Sequence, residues 1–134
     1  MSGHIFFGDK FFGYDDAVYA ALRLLEIISR TGKKVSQLLD GMPPAFSTPE
    51  IRVECSDEMK FNLVEKVKEE FKKEYKVIDI DGVRIEFPDG WGLIRPSNTQ
   101  PALVLRFEAK TKERLEEIRS LIEGTLERVK NKLD

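Results

Sequence analysis

A proline-rich stretch divides this chain into two unequal parts. Residues 41–50, which read GMPPAFSTPE, contain three prolines and one glycine. Each proline fixes its own φ and has no N–H to donate, so this stretch cannot continue a helix or a central strand. We predict a linker here, between a first part of about 40 residues and a second part of about 85, which is enough for a domain with its own core.

The second part has the sequence pattern of a complete α+β domain. Five segments have the apolar pattern of strands, and two have apolar residues at helical spacing. In chain order the pattern is β-α-β-β-β-β-α, which predicts an antiparallel sheet with two helices on one face. The predicted strands are IRVEC, YKVIDI, VRIEF, WGLI and ALVLRFEA, with hairpin turns at Asp81-Gly82 and Asp89-Gly90.

Both helices of this part begin at a capping residue. Ser56 or Asp57 can cap the first, and Thr111 can cap the second. In the first helix, the residues expected to face the sheet are Phe61, Val64, Val67 and Phe71. In the second helix, the apolar stripe consists of Leu115, Ile118, Ile122, Leu126, Val129 and Leu133.

The first part cannot close a core of its own. HIFF (4–7) is a strand candidate, and Asp15 or Asp16 begins a helix that runs through Ile28 and stops at Gly32. One strand and about one and a half helices fall short of a stable unit. The phenylalanines near the start would be exposed unless something outside this chain covers them; they are Phe6, Phe7, Phe11 and Phe12. We therefore expect the end of a larger domain.

Composition excludes several classes of protein. Charged residues make up 34% of the chain, but the net charge is only −2, which argues against a nucleic-acid partner. No apolar run approaches the roughly 18 to 20 residues that span a bilayer, and the N-terminus lacks the features of a signal peptide. Cys55 is the only cysteine and His4 the only histidine, which excludes an internal disulfide and a Cys/His zinc site and fits a reducing cytoplasm.

The loop RPSNTQP, residues 95–101, carries the clearest chemistry of the chain. Arg95 offers a planar fork of N–H donors that suits a phosphate or a carboxylate. Ser97, Asn98 and Thr99 add hydroxyl and amide donors, and the backbone N–H groups of residues 97–100 can form a nest for an anion. The two prolines limit the freedom of the loop, which lowers the entropy lost when a ligand binds.

A purely structural turn also stays open at this point. Serine, asparagine, threonine and proline are ordinary turn formers, and one arginine near a strand end is common. Asp79 and Asp81 are two residues apart, but they fit a strand end and a turn better than a metal site, so no metal site is predicted in this chain.

Three segments together resemble the α-D-phosphohexomutase family, of the phosphomannomutase/phosphoglucomutase type. RPSNTQP is similar to the phosphate-binding loop of the family's last domain, R-x-S-[NG]-T-x-P. MSGH (1–4) is similar to the end of the family's sugar-binding loop, G-E-M-S-G-H, and FFGYDDAVYAALRLLEII resembles the segment after it. The resemblance implies that residues 1–45 are the C-terminal remnant of the third, α/β domain plus a linker. Residues 46–134 would be the fourth, C-terminal phosphate-binding domain, an α+β fold like that of the TATA-binding protein.

The family interconverts hexose 1-phosphate and hexose 6-phosphate by intramolecular phosphoryl transfer. The resemblance implies that the phosphate that is not reacting is held by Arg95, Ser97, Asn98 and Thr99. It also implies that Ser2 and His4 contact the sugar and that His4 assists proton transfer. The family's phosphoserine and Mg²⁺ belong to its first and second domains, whose loops T-A-S-H-N-P and D-G-D-G-D-R are not in this sequence. No cofactor is expected in this chain, which alone should not catalyse phosphoryl transfer.

Other hypotheses of function stay open. The chain can be a stand-alone module that binds a phosphorylated sugar without chemistry, or an interaction module that docks on a partner through its phenylalanines. Within the family, Met1 and Asn98 favour mannose or glucose phosphate, because phosphoglucosamine mutases more often carry Gln and Gly there. The expected partners are a phosphorylated hexose and the upstream domains of the same protein, with no nucleic acid and no membrane.

Overall fold

The structure is a computed structural model that describes residues 3–133. The chain divides between Met42 and Pro43 into two compact units. Within the described residues, no helix combines the length and the apolar character needed to cross a bilayer.

The first unit contains one α-helix, α1 (Ala17–Thr31), and a turn of 3₁₀-helix over Val35–Gln37. The side chain of Asp16 caps α1, because its Oδ1 accepts a hydrogen bond of 2.8 Å from the N–H of Tyr19. Gly32 ends the helix in the left-handed conformation, with φ of 63°. The predicted start and end of this helix are confirmed. No residue of α1 is buried, as expected of an amphipathic helix without an apolar partner.

The strand predicted at HIFF is wrong. Only a single bridge joins Phe6 to Asp15, and residues 3–7 form no strand. A strand needs a neighbour along its length to pair its N–H and C=O groups, and the described part of this unit offers none. Phe7, Phe11 and Phe12 contact aromatic neighbours instead, with the stacked rings of Phe11 and Tyr19 4.1 Å apart, whereas Phe6 is exposed.

The second unit is an antiparallel sheet that two helices cover on one face, and the predicted α+β fold is confirmed. Its helices are α2 (Asp57–Phe71) and α3 (Lys112–Lys130). Its strands are β1 (Phe46–Ser47), β2 (Ile51–Glu54), β3 (Lys76–Ile78), β4 (Val83–Phe87), β5 (Gly90–Pro96) and β6 (Ala102–Ala109). The order across the sheet is β1-β6-β5-β4-β3, and β2 pairs with the same edge of β6 as β1. The inner strands, each paired on both sides, are therefore β6, β5 and β4.

The predicted linker is not free of structure, because β1 lies inside it. Phe46 and Ser47 pair with Ala109 and Glu108 at the edge of the sheet, where prolines on either side of a strand are tolerated. Next to β1, the N–H of Thr48 donates to the carbonyl of Phe107 at 3.0 Å. This segment therefore packs as part of the second unit.

The core of the second unit lies between the helices and the sheet. The stripe predicted on α3 is confirmed: Leu115, Ile118, Ile122, Leu126 and Val129 are buried, and Leu133 packs against the core. The sheet contributes fully buried side chains that include Ile85, Ile94, Leu103, Leu105 and Phe107. Removing each of these from water stabilises the fold by about 1.5–3 kcal/mol. Ser56 and Thr111 are the N-cap residues of α2 and α3, as predicted.

The buried face of α2 differs from the predicted one at its first turn. Val64, Val67 and Phe71 are buried as expected, but Phe61 is 53% exposed. Lys60, which is 3% exposed, takes the inward position instead. The reason is the helical period: the buried residues of α2 are Lys60, Leu63, Val64, Val67 and Phe71, a continuous i, i+3, i+4, i+7 face on which position 61 does not fall.

Neither hairpin connection is the predicted type I′ turn: Asp81-Gly82 lies in the connection between β3 and β4 but with a different geometry, and the turn predicted at Asp89-Gly90 is displaced by one residue. Phe87 pairs with Gly90, so the turn between β4 and β5 consists of Pro88 and Asp89. Proline cannot take the positive φ that a type I′ turn requires at its first central position. Between β3 and β4, residues 79–82 form the connection, and only Gly82 has a positive φ, of 85°. Asp81-Gly82 is therefore not a type I′ turn either, since that turn needs a positive φ at both residues.

Candidate functional site

The polar loop joins β5 and β6, two neighbouring inner strands of the sheet. β5 ends at Pro96, which pairs with Leu103, and β6 begins at Ala102. The N–H of Ser97 then donates to the carbonyl oxygen of Ala102 at 2.9 Å, which extends the pairing by one residue into the loop. Both ends of the loop are thus fixed by strands that are paired on either side.

The hydroxyl of Ser97 organises the inside of the loop. Its oxygen accepts hydrogen bonds from the N–H of Thr99 at 3.4 Å and from the N–H of Gln100 at 3.2 Å. A hydroxyl has two acceptor lone pairs and one donor hydrogen. Because both acceptor roles are filled by the loop, the hydrogen is left to donate to a ligand.

The predicted nest of backbone N–H groups is smaller than expected. The N–H of Ser97 donates to the carbonyl of Ala102 in β6, and those of Thr99 and Gln100 donate to the hydroxyl of Ser97 inside the loop, as a short turn satisfies its own donors where it can. Within residues 3–133, the N–H of Asn98 has no acceptor. Asn98 and Thr99 are exposed, and in the same described range their side chains make no hydrogen bond. The outward donors of the loop are therefore one backbone N–H and several side chains.

Arg95 lies at the end of β5 beside this loop. Its side chain is 43% exposed, and its Nη1 is 3.1 Å from Oδ2 of Asp81, in the connection between β3 and β4. A guanidinium has five N–H donors, and the contact with Asp81 uses one of them. The remaining donors of Arg95 can bind an anion in a bidentate manner.

A lysine that the sequence pattern did not point us to lies under the loop. Nζ of Lys60 is 2.5 Å from Oδ1 of Asp57, 2.5 Å from the backbone oxygen of Ser97 and 3.2 Å from that of Gln100. The three N–H donors of the ammonium group therefore meet three oxygen acceptors, which offsets the cost of burying its charge. The signal that could have identified Lys60 is its helical spacing from the apolar Leu63, Val64 and Val67.

A second arginine lies on the other side of the loop. Arg52, on β2, donates from Nη1 to the side-chain oxygen of Gln100, and its Nη2 is 2.9 Å from Oε1 of Glu50. Three cationic side chains, Arg52, Lys60 and Arg95, thus surround one short loop in a chain whose net charge is −2. Each of these cations also contacts a carboxylate, that of Glu50, Asp57 and Asp81 respectively, so the surroundings of the loop offer an anion N–H donors and not an excess of positive charge.

The other predicted site residues belong to the start of the chain. His4 lies in the first unit, where its exposed imidazole contacts the carboxylate of Asp15 through Nδ1. Ser2 lies outside the described residues. Among the described residues, no group of three or more His, Cys, Asp or Glu side chains is arranged to hold a metal ion.

Comparison with known proteins gives matches over both parts of the chain. The family profile described as "Phosphoglucomutase/phosphomannomutase, C-terminal domain" matches residues 50–124. The profile described as "Phosphoglucomutase/phosphomannomutase, alpha/beta/alpha domain III" matches residues 1–46. The domain III match contains the MSGH segment, and the C-terminal domain match contains the polar loop. The two profiles therefore occur in the order expected from these motifs.

Relatives with similar sequences are longer than this chain. A phosphomannomutase/phosphoglucomutase of Pseudomonas syringae pv. tomato is 45% identical over 135 aligned positions, which cover 100% of this chain and 29% of that protein. A phosphoglucomutase of Neisseria gonorrhoeae is 45% identical over 130 positions, or 95% of this chain and 28% of that protein. The chain thus spans less than a third of the length of these relatives.

A solved structure agrees with the sequence matches. The X-ray crystal structure of a phosphoglucomutase/phosphomannomutase family protein from Burkholderia thailandensis superposes with a TM-score of 0.79 at 42% identity. The similarity covers 97% of this chain and 27% of that one. This chain belongs to the phosphoglucomutase/phosphomannomutase family, and it contains the family's C-terminal domain together with a segment of its α/β/α domain III.

Proposed function

We propose that the loop at residues 95–99 binds the phosphate of a hexose phosphate within a phosphohexomutase. The whole protein would interconvert the 1-phosphate and 6-phosphate of mannose or glucose by intramolecular phosphoryl transfer. The observation that carries this proposal is the set of outward donors on a loop fixed at both ends: the guanidinium of Arg95, the hydroxyl of Ser97 and the N–H of Asn98. The exposed side chains of Asn98 and Thr99 complete the phosphate site.

The chemistry of a phosphate dianion fits this loop. Hydrogen bonds from a charged donor such as Arg95 contribute about 1.5–3 kcal/mol each, and the loop loses little conformational freedom on binding because the sheet already fixes it. A phosphate held away from the reacting end supplies binding energy that orients the sugar for transfer at its other end. The role of the second unit is therefore to bind the phosphate and so to orient the sugar.

The start of the chain would contact the sugar. Ser2 and His4 match the family's sugar-binding loop, and the carboxylate of Asp15 beside Nδ1 of His4 can orient the imidazole ring. With Nδ1 held as a donor to Asp15, Nε2 is available to exchange a proton with a sugar hydroxyl. His4→Gln in the complete enzyme is expected to lower kcat more than it raises KM.

This chain alone is expected to show no mutase activity. In the family, the nucleophile is a phosphoserine and Mg²⁺ supplies charge neutralisation, and the serine and metal loops that carry them are not in this sequence. Asn98 and the names of the relatives favour glucose and mannose phosphates as substrates. A phosphoglucosamine mutase is the alternative within the family, and competition by glucosamine 6-phosphate distinguishes them. The cytoplasmic location stays a prediction.

Amide NMR of the ¹⁵N-labelled chain tests the phosphate site. Titration with glucose 1-phosphate or mannose 1-phosphate is expected to shift the amides of residues 95–99, with a dissociation constant on the order of millimolar. Arg95→Ala should abolish the shifts, whereas Arg128→Ala, which removes an exposed arginine from α3, should leave them intact. Shifts scattered elsewhere while residues 95–99 stay silent would refute the site.

The upstream genomic sequence tests the wider assignment. A reading frame that continues upstream and encodes the serine and metal loops supports the enzyme. A stop codon and promoter directly upstream would instead support a stand-alone module that binds a phosphorylated sugar without chemistry.

A further inference from the structure

The buried ammonium group of Lys60 contacts the loop only through backbone oxygens. It approaches the carbonyl of Ser97 at 2.5 Å and the carbonyl of Gln100 at 3.2 Å. It contacts no loop side chain, and its third donor goes to Asp57 on its own helix. Lys60 therefore affects the conformation of the loop backbone and not that of the loop side chains.

The direction of these carbonyls decides where a backbone donor points. A peptide group is planar and trans, so a C=O and the N–H of the next residue point in opposite directions. Because the carbonyl of Ser97 points inward to Lys60, the N–H of Asn98 points outward, and within the described residues it is the loop N–H without an acceptor. Rotation of this peptide by half a turn would replace a donor by a carbonyl oxygen, which repels an anion.

The carbonyl of Gln100 also points toward Lys60, but the peptide group that carries it has no N–H. The next residue is Pro101, which has no N–H, so this peptide offers an anion nothing but its oxygen. Lys60 holds that oxygen on the inner side of the loop, where it also accepts the N–H of Ala102 at 2.8 Å. The carbonyls of Ser97 and Gln100 are thus turned away from a phosphate.

We propose that Lys60 is a positioning residue for phosphate binding: its ammonium group holds the carbonyls of Ser97 and Gln100 inward and so presents the N–H of Asn98 to the phosphate. This inference rests on the proposed function of the loop. Lys60 does not touch the ligand in this arrangement.

The test compares the ¹⁵N-labelled chain with Lys60→Met, which keeps the apolar stem and removes the ammonium group. Inorganic phosphate is added at constant ionic strength, and the amides of residues 97–99 are followed. In Lys60→Met, the amide of Asn98 should shift before any phosphate is added, and the dissociation constant should rise at least about tenfold. Lys66→Met makes the same change at an exposed position of α2 that contacts Glu69, and it should bind like the unsubstituted chain.

A second variant keeps the test decisive if Lys60→Met does not fold. The side chain of Lys60→Gln is polar but one bond shorter, so it cannot reach both loop carbonyls, and binding should again weaken. A folded variant of either kind with the Asn98 amide unmoved and an unchanged dissociation constant would show that Lys60 only stabilises the fold, and would overturn the inference while the proposed function stands. A silent loop in the unsubstituted chain would instead refute the phosphate site itself and, with it, the role of Lys60.

Discussion

The guanidinium of Arg95 and the carboxylate of Asp81 form an ion pair at the edge of the candidate site, with Nη1 of Arg95 3.1 Å from Oδ2 of Asp81. The side chains are 43% and 63% exposed, respectively. Asp81 therefore occupies one of the donors that a phosphate would use, and its charge repels the same ligand. The ion pair would therefore compete with phosphate binding at the proposed site.

We expect Asp81→Asn to bind phosphate about 1.4- to fivefold more tightly, because exposed ion pairs are worth about 0.2–1 kcal/mol. The gain should shrink at high salt, which screens both the pair and the repulsion. NMR titration with inorganic phosphate measures the change, and Glu127→Gln on α3 is the control for net charge. Weaker binding by Asp81→Asn would show that Asp81 orients Arg95 instead of competing for it.

Gly82 lies close to the backbone of β5 at Ile94 and Arg95. Its φ is 85°, and a Cβ built on it would lie 2.3 Å from the carbonyl oxygen of Ile94 and 2.6 Å from Cβ of Arg95. Gly82→Ala is therefore expected to lower the free energy of unfolding by more than the ~1–2 kcal/mol of left-handed strain and to weaken phosphate binding. Urea denaturation and the phosphate titration measure the two effects.

The control for Gly82→Ala is Gly41→Ala. Gly41 has a φ of 87° but no atom within 4 Å of a built Cβ, so it carries the same backbone strain without the collision. This variant should leave phosphate binding unchanged. Equal binding by Gly82→Ala and the unsubstituted chain would contradict the link from Gly82 to Arg95.

The contact between β5 and α3 predicts a coupled pair of substitutions. A Cβ on Gly92 would lie 2.3 Å from Cδ1 of Ile122. Gly92→Ala alone should cost about 1–3 kcal/mol by overpacking, and Ile122→Val, which removes that Cδ1, about 0.5–1.5 kcal/mol. The destabilisation of the double variant should be smaller than the sum of the destabilisations of the two single variants. Strict additivity in urea denaturation would show that the strand moves away from the helix instead.

Asp79 predicts part of the acid sensitivity of the fold. A hydrogen bond of 2.9 Å from Nζ of Lys72, with the further charge of Lys68, holds the pKa of Asp79 below its ordinary value of 3.8. A carboxylate with a lowered pKa contributes stability that is fully present above its unfolded-state pKa and is lost as pH falls through the folded value. Between about pH 5 and pH 3 the unsubstituted chain should therefore lose more stability than Asp79→Asn. Parallel curves for the two proteins in thermal unfolding would contradict this expectation.

The apolar periodicity of the sequence predicts the sheet and helices well, but it misassigns the first turn of α2. Hydrophobicity placed Phe61 inside, yet the helical period places Lys60 there, and Lys60 is accepted because backbone oxygens of a distant loop satisfy its ammonium group. Those oxygens are 37 and 40 residues away along the chain, so no local pattern could reveal them. The polar loop was recognisable from residue types alone, whereas its buried support was not.

Turn geometry was also less predictable than strand pattern. Asp89-Gly90 has the residues of a type I′ turn, but Gly90 is the first residue of β5, where a Cβ would lie 2.5 Å from the carbonyl oxygen of Glu108. That glycine is needed for close strand packing and not for a turn. Likewise, HIFF has strand propensity, but pairing depends on a neighbouring strand that the described part of its unit does not supply.

Because the loop joins β5 and β6, a ligand bound to the loop would affect the cooperative unfolding of the whole second unit. Amides of strands that are paired on both sides exchange with solvent mainly when the whole domain opens, and both ends of the loop are attached to such strands. Phosphate bound at the proposed site would therefore stabilise the whole second unit against unfolding, by RT ln(1 + [L]/Kd). A melting curve of this small domain would thus report on its anion occupancy.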